Sequence, residues 1–220
     1  MVAPYGPHWR EARSAVGALR ILQEARECET LAEALDESTL VVGTGTLDAR
    51  RPRQTVVTLP QLPPRLLPEL AGGGRVALVF GGEKHGLTRD HLALCHLVVE
   101  IPTEPEQPSM NLGQAVAVCL YELATAPLRH SSGEAISAAR TGPDLEPHPA
   151  SGDLDRLGSL IEETMRAAGY SPRIMQEANR RDLRLTLRRM HLGPADVRRL
   201  LGLFRRILWK LKRNHEPHSR

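Results

Sequence analysis

Arg75-Val76-Ala77-Leu78-Val79-Phe80-Gly81-Gly82-Glu83-Lys84-His85-Gly86 decides the fold of this chain. A short apolar run that stops on paired glycines suits a strand buried on both faces of a parallel sheet. The same pattern stands on either side of it. Upstream, Leu40-Val41-Val42 ends in Gly43-Thr44-Gly45-Thr46; downstream, Leu97-Val98-Val99-Glu100-Ile101 ends at Pro102. Between the second and third runs the residues near Thr88–Cys95 predict a helix, and Leu31 and Leu35 give helical spacing to 24–36. A polar loop over Thr103–Ser109 leads into a further helix near Leu112–Ala124. Strands alternating with helices in this way predict an α/β fold with a parallel sheet.

Beyond that core the pattern changes. Residues 127–152 hold Pro127, Ser131, Ser132, Gly133, Gly142, Pro143, Pro147, Pro149 and Gly152 without sustained periodicity, and read as a linker. Residues 153–213 then carry three apolar stripes at helical spacing: Leu154, Leu157, Ile161 and Met165; Leu183, Leu187 and Met190; and Val197 through Leu211. The last helix is expected to begin after Gly193-Pro194, since proline suits a first turn. Its stripe is wide enough to need a partner, from its sister helices or from a second chain. Residues 214–220 are a polar tail.

The 220 residues are 41% apolar and 25% charged, which excludes a disordered, collagen-like or small disulfide-scaffold chain. No run approaches the ~18 apolar residues of a membrane span, and Met1–Tyr5 lacks a basic segment leading an apolar one. Cys28, Cys95 and Cys119 form no CxxC pair, which fits reduced thiols better than disulfides or zinc. The expected location is therefore the cytoplasm, with no membrane partner. Charge is unevenly spread. Residues 1–150 carry 13 Lys/Arg against 18 Asp/Glu, whereas 151–220 carry 16 against 8. A basic tail on an acidic body suggests a polyanionic partner.

Ligands of open parallel sheets collect at the carboxyl ends of strands, where Gly43–Thr46 and Gly81–Gly86 both lie. Neither loop is followed by the GKS/GKT of a P-loop, and neither is a GxGxxG at a helix start. A nucleoside triphosphatase or a nicotinamide enzyme is disfavoured.

The third loop is more specific. ALVFGGEKHGLT (77–88), followed by IPTEPEQPSMNLGQAVAVCLYEL (101–123), resembles the paired C-terminal motifs of the SPOUT-class methyltransferases of the TrmH/SpoU superfamily. The likeness is closest to the TrmJ-like RNA 2′-O-methyltransferases, with LVVGTGT (40–46) resembling the preceding cofactor loop. The resemblance implies a SPOUT domain over 1–126 with a C-terminal trefoil knot, a fold rarity that no periodicity predicts. It also implies a small helical extension over 153–213 that binds RNA and dimerises. S-adenosyl-L-methionine is the implied cofactor. The match places its contacts at Thr44, Gly45, Thr46, Gly81, Ile101, Pro108, Ser109 and Met110. Asn111 matches the position that orients the substrate hydroxyl, and Glu83 the acid that holds the middle loop together. Helix capping is the alternative role for Asn111. Lys84 is placed on RNA phosphate. No metal is implied.

One departure stands at the front. The family opens with a strand and a helix carrying an Asn-x-Gly-x-x-x-Arg motif, whereas Met1-Val2-Ala3-Pro4 aligns with the family's second strand. Arg13 is the first candidate to replace the missing arginine, although no Asn-x-Gly precedes it. The expectation is a start chosen too far downstream, because a sheet without that strand leaves apolar strands uncovered; a shortened, inactive protein is the other possibility.

The tail carries the RNA argument. Arg180, Arg184 and Arg188 recur at i, i+4, i+8, with Arg181 and Arg189 beside them, and predict a basic helical face. Such a face holds phosphate without reading sequence. Phe204 and Trp209 are the sole aromatics interleaved there, which argues for recognition of folded RNA by shape. The function implied is a homodimeric tRNA 2′-O-methyltransferase acting at cytidine or uridine 32 of the anticodon loop. The alternatives are a ribosomal RNA methyltransferase and a non-catalytic RNA-binding SPOUT dimer.

Overall fold

The computed structural model describes residues 1–2, 17–45, 52–82, 85–104, 106–130, 147–170 and 175–215. Four strands, β1 (Leu40–Thr44), β2 (Thr55–Thr58), β3 (Val76–Val79) and β4 (Leu97–Glu100), form one parallel sheet in the order β2-β4-β1-β3. Leu40 pairs with Val76, and Val42 with both Leu78 and Leu97, so β1 is central. All five of its residues are buried. Successive side chains of a strand point to opposite faces, and the two faces feed two cores. Val41 packs with Leu35, Val79, Leu87, Leu92, Cys95 and Val98, while Leu40 and Val42 pack with Val57, Leu62, Leu66, Val99 and Cys119.

Eight helices complete the described chain: α1 (Leu19–Glu24), α2 (Leu31–Ala34), α3 (Pro63–Ala71), α4 (Arg89–Ala93), α5 (Leu112–His130), α6 (Ser151–Ala167), α7 (Gln176–Arg189) and α8 (Pro194–His215). The helix expected over 24–36 is confined to α2, the short α1 ending at Glu24. Ala25 is extended, and the Thr30 hydroxyl accepts from the Glu33 N–H to begin α2. The Cys28 N–H donates to the Met1 carbonyl, and Val2 pairs with Cys28 in a single parallel bridge. The expected linker over 127–152 is helical at both ends, because α5 runs to His130 and α6 starts at Ser151.

α6, α7 and α8 wrap a third core of Leu154, Leu157, Leu187 and Val197, with Leu200, Leu201 and Phe204 packed against it. Most of the apolar stripe on α8 is thereby covered by its sister helices. This unit docks on the sheet through backbone as well as side chains. The Ser151 and Gly152 N–H groups donate to the carbonyls of Ser38 (2.8 Å) and Asp36 (3.0 Å). A Cβ on Gly152 would lie 1.8 Å from the Asp36 carboxylate and 3.2 Å from its carbonyl, so a larger residue here displaces the Asp36 side chain. The buried carboxylate of Glu69 receives the His148 N–H (3.0 Å) and lies 2.6 Å from its ring Nδ1. Cys28, Cys95 and Cys119 are free thiols, all buried. Among the described residues no helix is long and apolar enough to cross a membrane.

Candidate functional site

The carboxyl ends of β1, β3 and β4 converge on a cavity of about 360 Å³. That is the size of a small-molecule site, at the place where open α/β sheets bind ligands. Three chain segments build it. From β1 come Thr44 and Gly45. The Thr44 hydroxyl donates to the Val79 carbonyl (3.0 Å) and the Gly45 N–H to the Val99 carbonyl (3.2 Å), which ties the end of β1 to both neighbours.

After β3 the chain turns back on itself. Gly82 and Gly86 form an antiparallel bridge, and Gly86 has φ +60. A Cβ on Gly81 would lie 2.1 Å from the Gly86 carbonyl carbon, so this close approach of backbone to backbone needs glycine. The loop places Gly81, His85 and Leu87 on the cavity wall. After β4, Ile101, Thr103, Pro108, Ser109 and Met110 supply the opposite wall. The Thr103 hydroxyl donates to the Pro108 carbonyl (3.3 Å), and Gln107 N–H to Glu104 carbonyl (3.0 Å), folding this segment into a rim.

Of the eight residues expected at a cofactor, Thr44, Gly45, Gly81, Ile101, Pro108, Ser109 and Met110 therefore line one cavity. Thr46, Glu83 and Lys84 lie outside the described residues, as does Arg13. Asn111 sits between the rim and α5. Its Oδ1 accepts from the N–H groups of Gly113 (2.9 Å) and Gln114 (3.4 Å), so the side chain caps the helix. Sequence reasoning missed Phe80, Thr103 and Leu87 in the lining. Leu87, six residues after Gly81, carried a usable signal: an apolar residue just past a glycine loop.

The family model described as the SpoU rRNA Methylase family matches residues 3–121, which contain this entire cavity. Curated relatives match over most of this chain and about four-fifths of their own length. The chain is 31% identical over 206 residues to the tRNA (cytidine/uridine-2′-O-)-methyltransferase TrmJ of Pectobacterium atrosepticum, covering 92% of this chain and 79% of that one. To the protein of the same name from Escherichia coli K12 it is 33% identical over 210 residues, covering 93% and 79%. The crystal structure of TrmJ from Z. mobilis ZM4 superposes with a TM-score of 0.76 at 27% identity, covering 93% of this chain and 82% of that chain. The chain belongs to the SpoU methylase family.

A SpoU methylase needs a place for a methyl donor, and the lining fits S-adenosylmethionine. Ile101, Met110, Leu87 and Phe80 offer apolar surface for a flat purine, and Thr44, Thr103 and Ser109 offer hydroxyls beside backbone amides. Among the described lining residues there is no lysine or arginine, and His85 is the one titratable side chain.

In this SpoU chain the arginines of α7 depart from expectation. Arg188 is buried, with its side chain 1% exposed. Its guanidinium donates to the Leu94 carbonyl (2.9 Å) and to Asp155 (3.1 Å). Burial pulls its pKa below the ordinary arginine value, against the opposing pull of Asp155. Arg184 lies 3.8 Å from the same Asp155. Arg180 grips Glu162 with two bonds (3.0 and 3.1 Å), and these hold the Glu162 carboxyl below the usual range. Arg181 reaches Asp90 on α4 (2.6 Å). Acids on α6 stand opposite the i, i+4, i+8 stripe and Arg188 is buried against them, while Arg180 keeps 44% of its side chain exposed. Arg188 is withdrawn from the RNA-facing set, whereas Arg189 is exposed.

Around Arg188 the interior is tightly polar. His96 Nδ1 accepts from the Val41 N–H (3.0 Å), which fixes the ring beside β1. Burial, with the Arg188, His148 and His191 charges, depresses its pKa to about 3. Burial likewise pushes the neighbouring Cys95 thiol up to about 12, so it carries no thiolate chemistry.

Proposed function

We propose that this chain transfers a methyl group from S-adenosyl-L-methionine to a ribose 2′-hydroxyl of tRNA, at cytidine or uridine 32 of the anticodon loop. The observation that carries the reading is the cavity at the ends of β1, β3 and β4, lined by the residues that the motif match selected. It is supported by relatives named tRNA (cytidine/uridine-2′-O-)-methyltransferase that share 31–33% of residues over nine-tenths of the chain.

When bound, S-adenosylmethionine supplies an electrophilic methyl carbon on a sulfonium. The chain's own residues hold, orient and exclude water. Ile101, Met110 and Leu87 enclose the purine, while Thr44 and the backbone around Gly45 and Gly81 keep the strand ends rigid at the opposite side. A ribose hydroxyl is a poor nucleophile until its proton is drawn away and its oxygen is aligned with the methyl carbon. Asn111 orients that hydroxyl from its fixed place at the head of α5, Glu83 braces the middle loop and Lys84 meets a phosphate.

The wider architecture follows the same reading: a SPOUT domain over 1–126 whose segment after Gly81 is threaded as a trefoil knot, and a helical extension over 153–213. The protein acts as a homodimer in the cytoplasm. α5 supports the dimer more strongly than α8, since Leu112, Val118, Leu120 and Tyr121 are exposed on it, with Tyr121 at 68%.

The test is transfer of labelled methyl from S-adenosylmethionine to unmodified tRNA, followed by mass spectrometry of nuclease fragments. The expected product is 2′-O-methylcytidine or 2′-O-methyluridine at position 32. Label on ribosomal RNA instead, or a folded chain that retains tRNA without modifying it, overturns the assignment.

A further inference from the structure

α8 carries seven Lys/Arg against one Asp, and its inner face is covered by α6 and α7. The outer face is a different surface. Arg198, Gly202, Arg205, Trp209 and Arg213 recur at intervals of three and four with Arg206 beside Arg205, all exposed, and make one stripe about 22 Å long at 1.5 Å per residue. Trp209 lies on the same side of the helix as these cations, 47% exposed. The Arg206 and Arg213 guanidinium groups lie over the indole ring, their carbons 4.7 Å and 5.0 Å from its centroid, so a base that stacks there takes the place of a guanidinium on the ring face. Among the described residues, Lys212 pairs with Glu163 (2.7 Å) and Arg199 lies 3.8 Å from Asp196. Arg198, Arg205, Arg206, Lys210 and Arg213 form no ion pair with a described residue.

An apolar protein partner would have to dehydrate these guanidinium groups in order to cover the indole, which is costly without paired charge. A single-stranded nucleic acid meets both demands at once. Its base has a π-face for the indole, and its flanking phosphates satisfy the arginines. Bases inside a duplex are already stacked and cannot reach a side chain on a helix surface.

We infer that Trp209 is a stacking platform for an unpaired RNA base, with Arg206 and Arg213 on the phosphates beside it. The inference rests on the reading that the chain acts on RNA, and narrows how that RNA is held. Unpaired segments of the substrate dock on α8, distant in sequence from the cavity at the sheet.

The chain has two tryptophans, Trp9 and Trp209, so W9F leaves Trp209 as the sole indole of the full-length protein. Its emission is followed at low salt during titration with unmodified tRNA, with an unstructured single-stranded oligoribonucleotide and with a blunt RNA duplex. Filter retention measures binding in parallel. The expected result is saturable quenching by tRNA and by the single strand, with little by the duplex. W209A is expected to weaken tRNA and single-strand binding five-fold or more, and W209F less than two-fold, with thermal midpoints unchanged because the ring is half-exposed. tRNA retained with Trp209 emission unmoved, or W209A binding as wild type, overturns the platform and leaves the methyltransferase reading intact. A chain that binds neither tRNA nor the oligonucleotide overturns both. Emission that shifts with protein concentration in the absence of RNA places Trp209 between two copies of the chain, and also overturns it.

Discussion

α7 and α8 are both arginine-rich, lie four residues apart, and use the same side chain for opposite ends. On α7, Arg180, Arg181, Arg184 and Arg188 each meet an acid on another helix: Glu162, Asp90 or Asp155. On α8, five cations form no ion pair with a described residue. The two helices differ in what stands opposite them rather than in composition. Counting positive charge along a sequence therefore overstates the surface offered to RNA, since a guanidinium facing a carboxylate is already matched.

Mutations can break this comparison or sharpen it. Arg188→Met is expected to have the largest effect on stability. It strands the Leu94 carbonyl and leaves Asp155 with Arg184 at 3.8 Å, and loss of one member of a buried pair costs about 3 kcal/mol. Chemical denaturation would read it, and a midpoint equal to wild type would mean that the pairing is ornamental. The next effect depends on pH. His96 has a folded pKa of about 3 against an ordinary 6.5, so the unfolded chain takes up a proton that the folded chain refuses. Its contribution is full above pH 6.5 and is lost as pH falls toward 3. In that window wild type should lose about 1.4 kcal/mol more per pH unit than His96→Gln does. Equal slopes would show that the ring is hydrated.

A smaller effect is expected at Arg180 and Glu162, where a double-mutant cycle should return a coupling of about 1 kcal/mol, since the arginine is partly exposed. The smallest belongs to α8. Arg198→Ala with Arg205→Ala should change stability by less than about 0.5 kcal/mol. The same pair should lower tRNA affinity and flatten its salt dependence by roughly 0.7–0.9 in log–log slope for each phosphate that is no longer neutralised. If the α7 variant weakens RNA binding more than the α8 variant at equal folded fraction, the division between the helices is wrong.

The strands β1, β3 and β4 were legible because each is a short, largely apolar run closed by a breaker, glycine after β1 and β3 and Pro102 after β4. β2 was not. Thr55-Val56-Val57-Thr58 is four residues at the sheet edge with Val56 41% exposed, so its pattern is short and mixed. α3 was hidden by Pro63, Pro64 and Pro68, which read as a breaker run; the first two sit where a helix lacks N–H partners anyway. Seven of the candidate cofactor positions line the cavity: Thr44, Gly45, Gly81 and Ile101 lie at or just past strand ends, and Pro108, Ser109 and Met110 lie in the loop that the motif carries into α5. The fate of Arg188 was not. Nothing in its spacing says that Asp155 and the Leu94 carbonyl, 33 and 94 residues away, will face it.

The three buried thiols have a use that concerns time rather than place. All three lie before residue 120, and the helical unit holds none. Cys119 is fully buried in the core of Val42, Leu62 and Val99, so the rate at which a thiol reagent labels it is a clock on the opening of that core. Cys95, which adjoins Arg188, also responds to undocking of α7. Run beside Trp209 emission in W9F, it would report whether the two halves of the molecule come apart together or in turn.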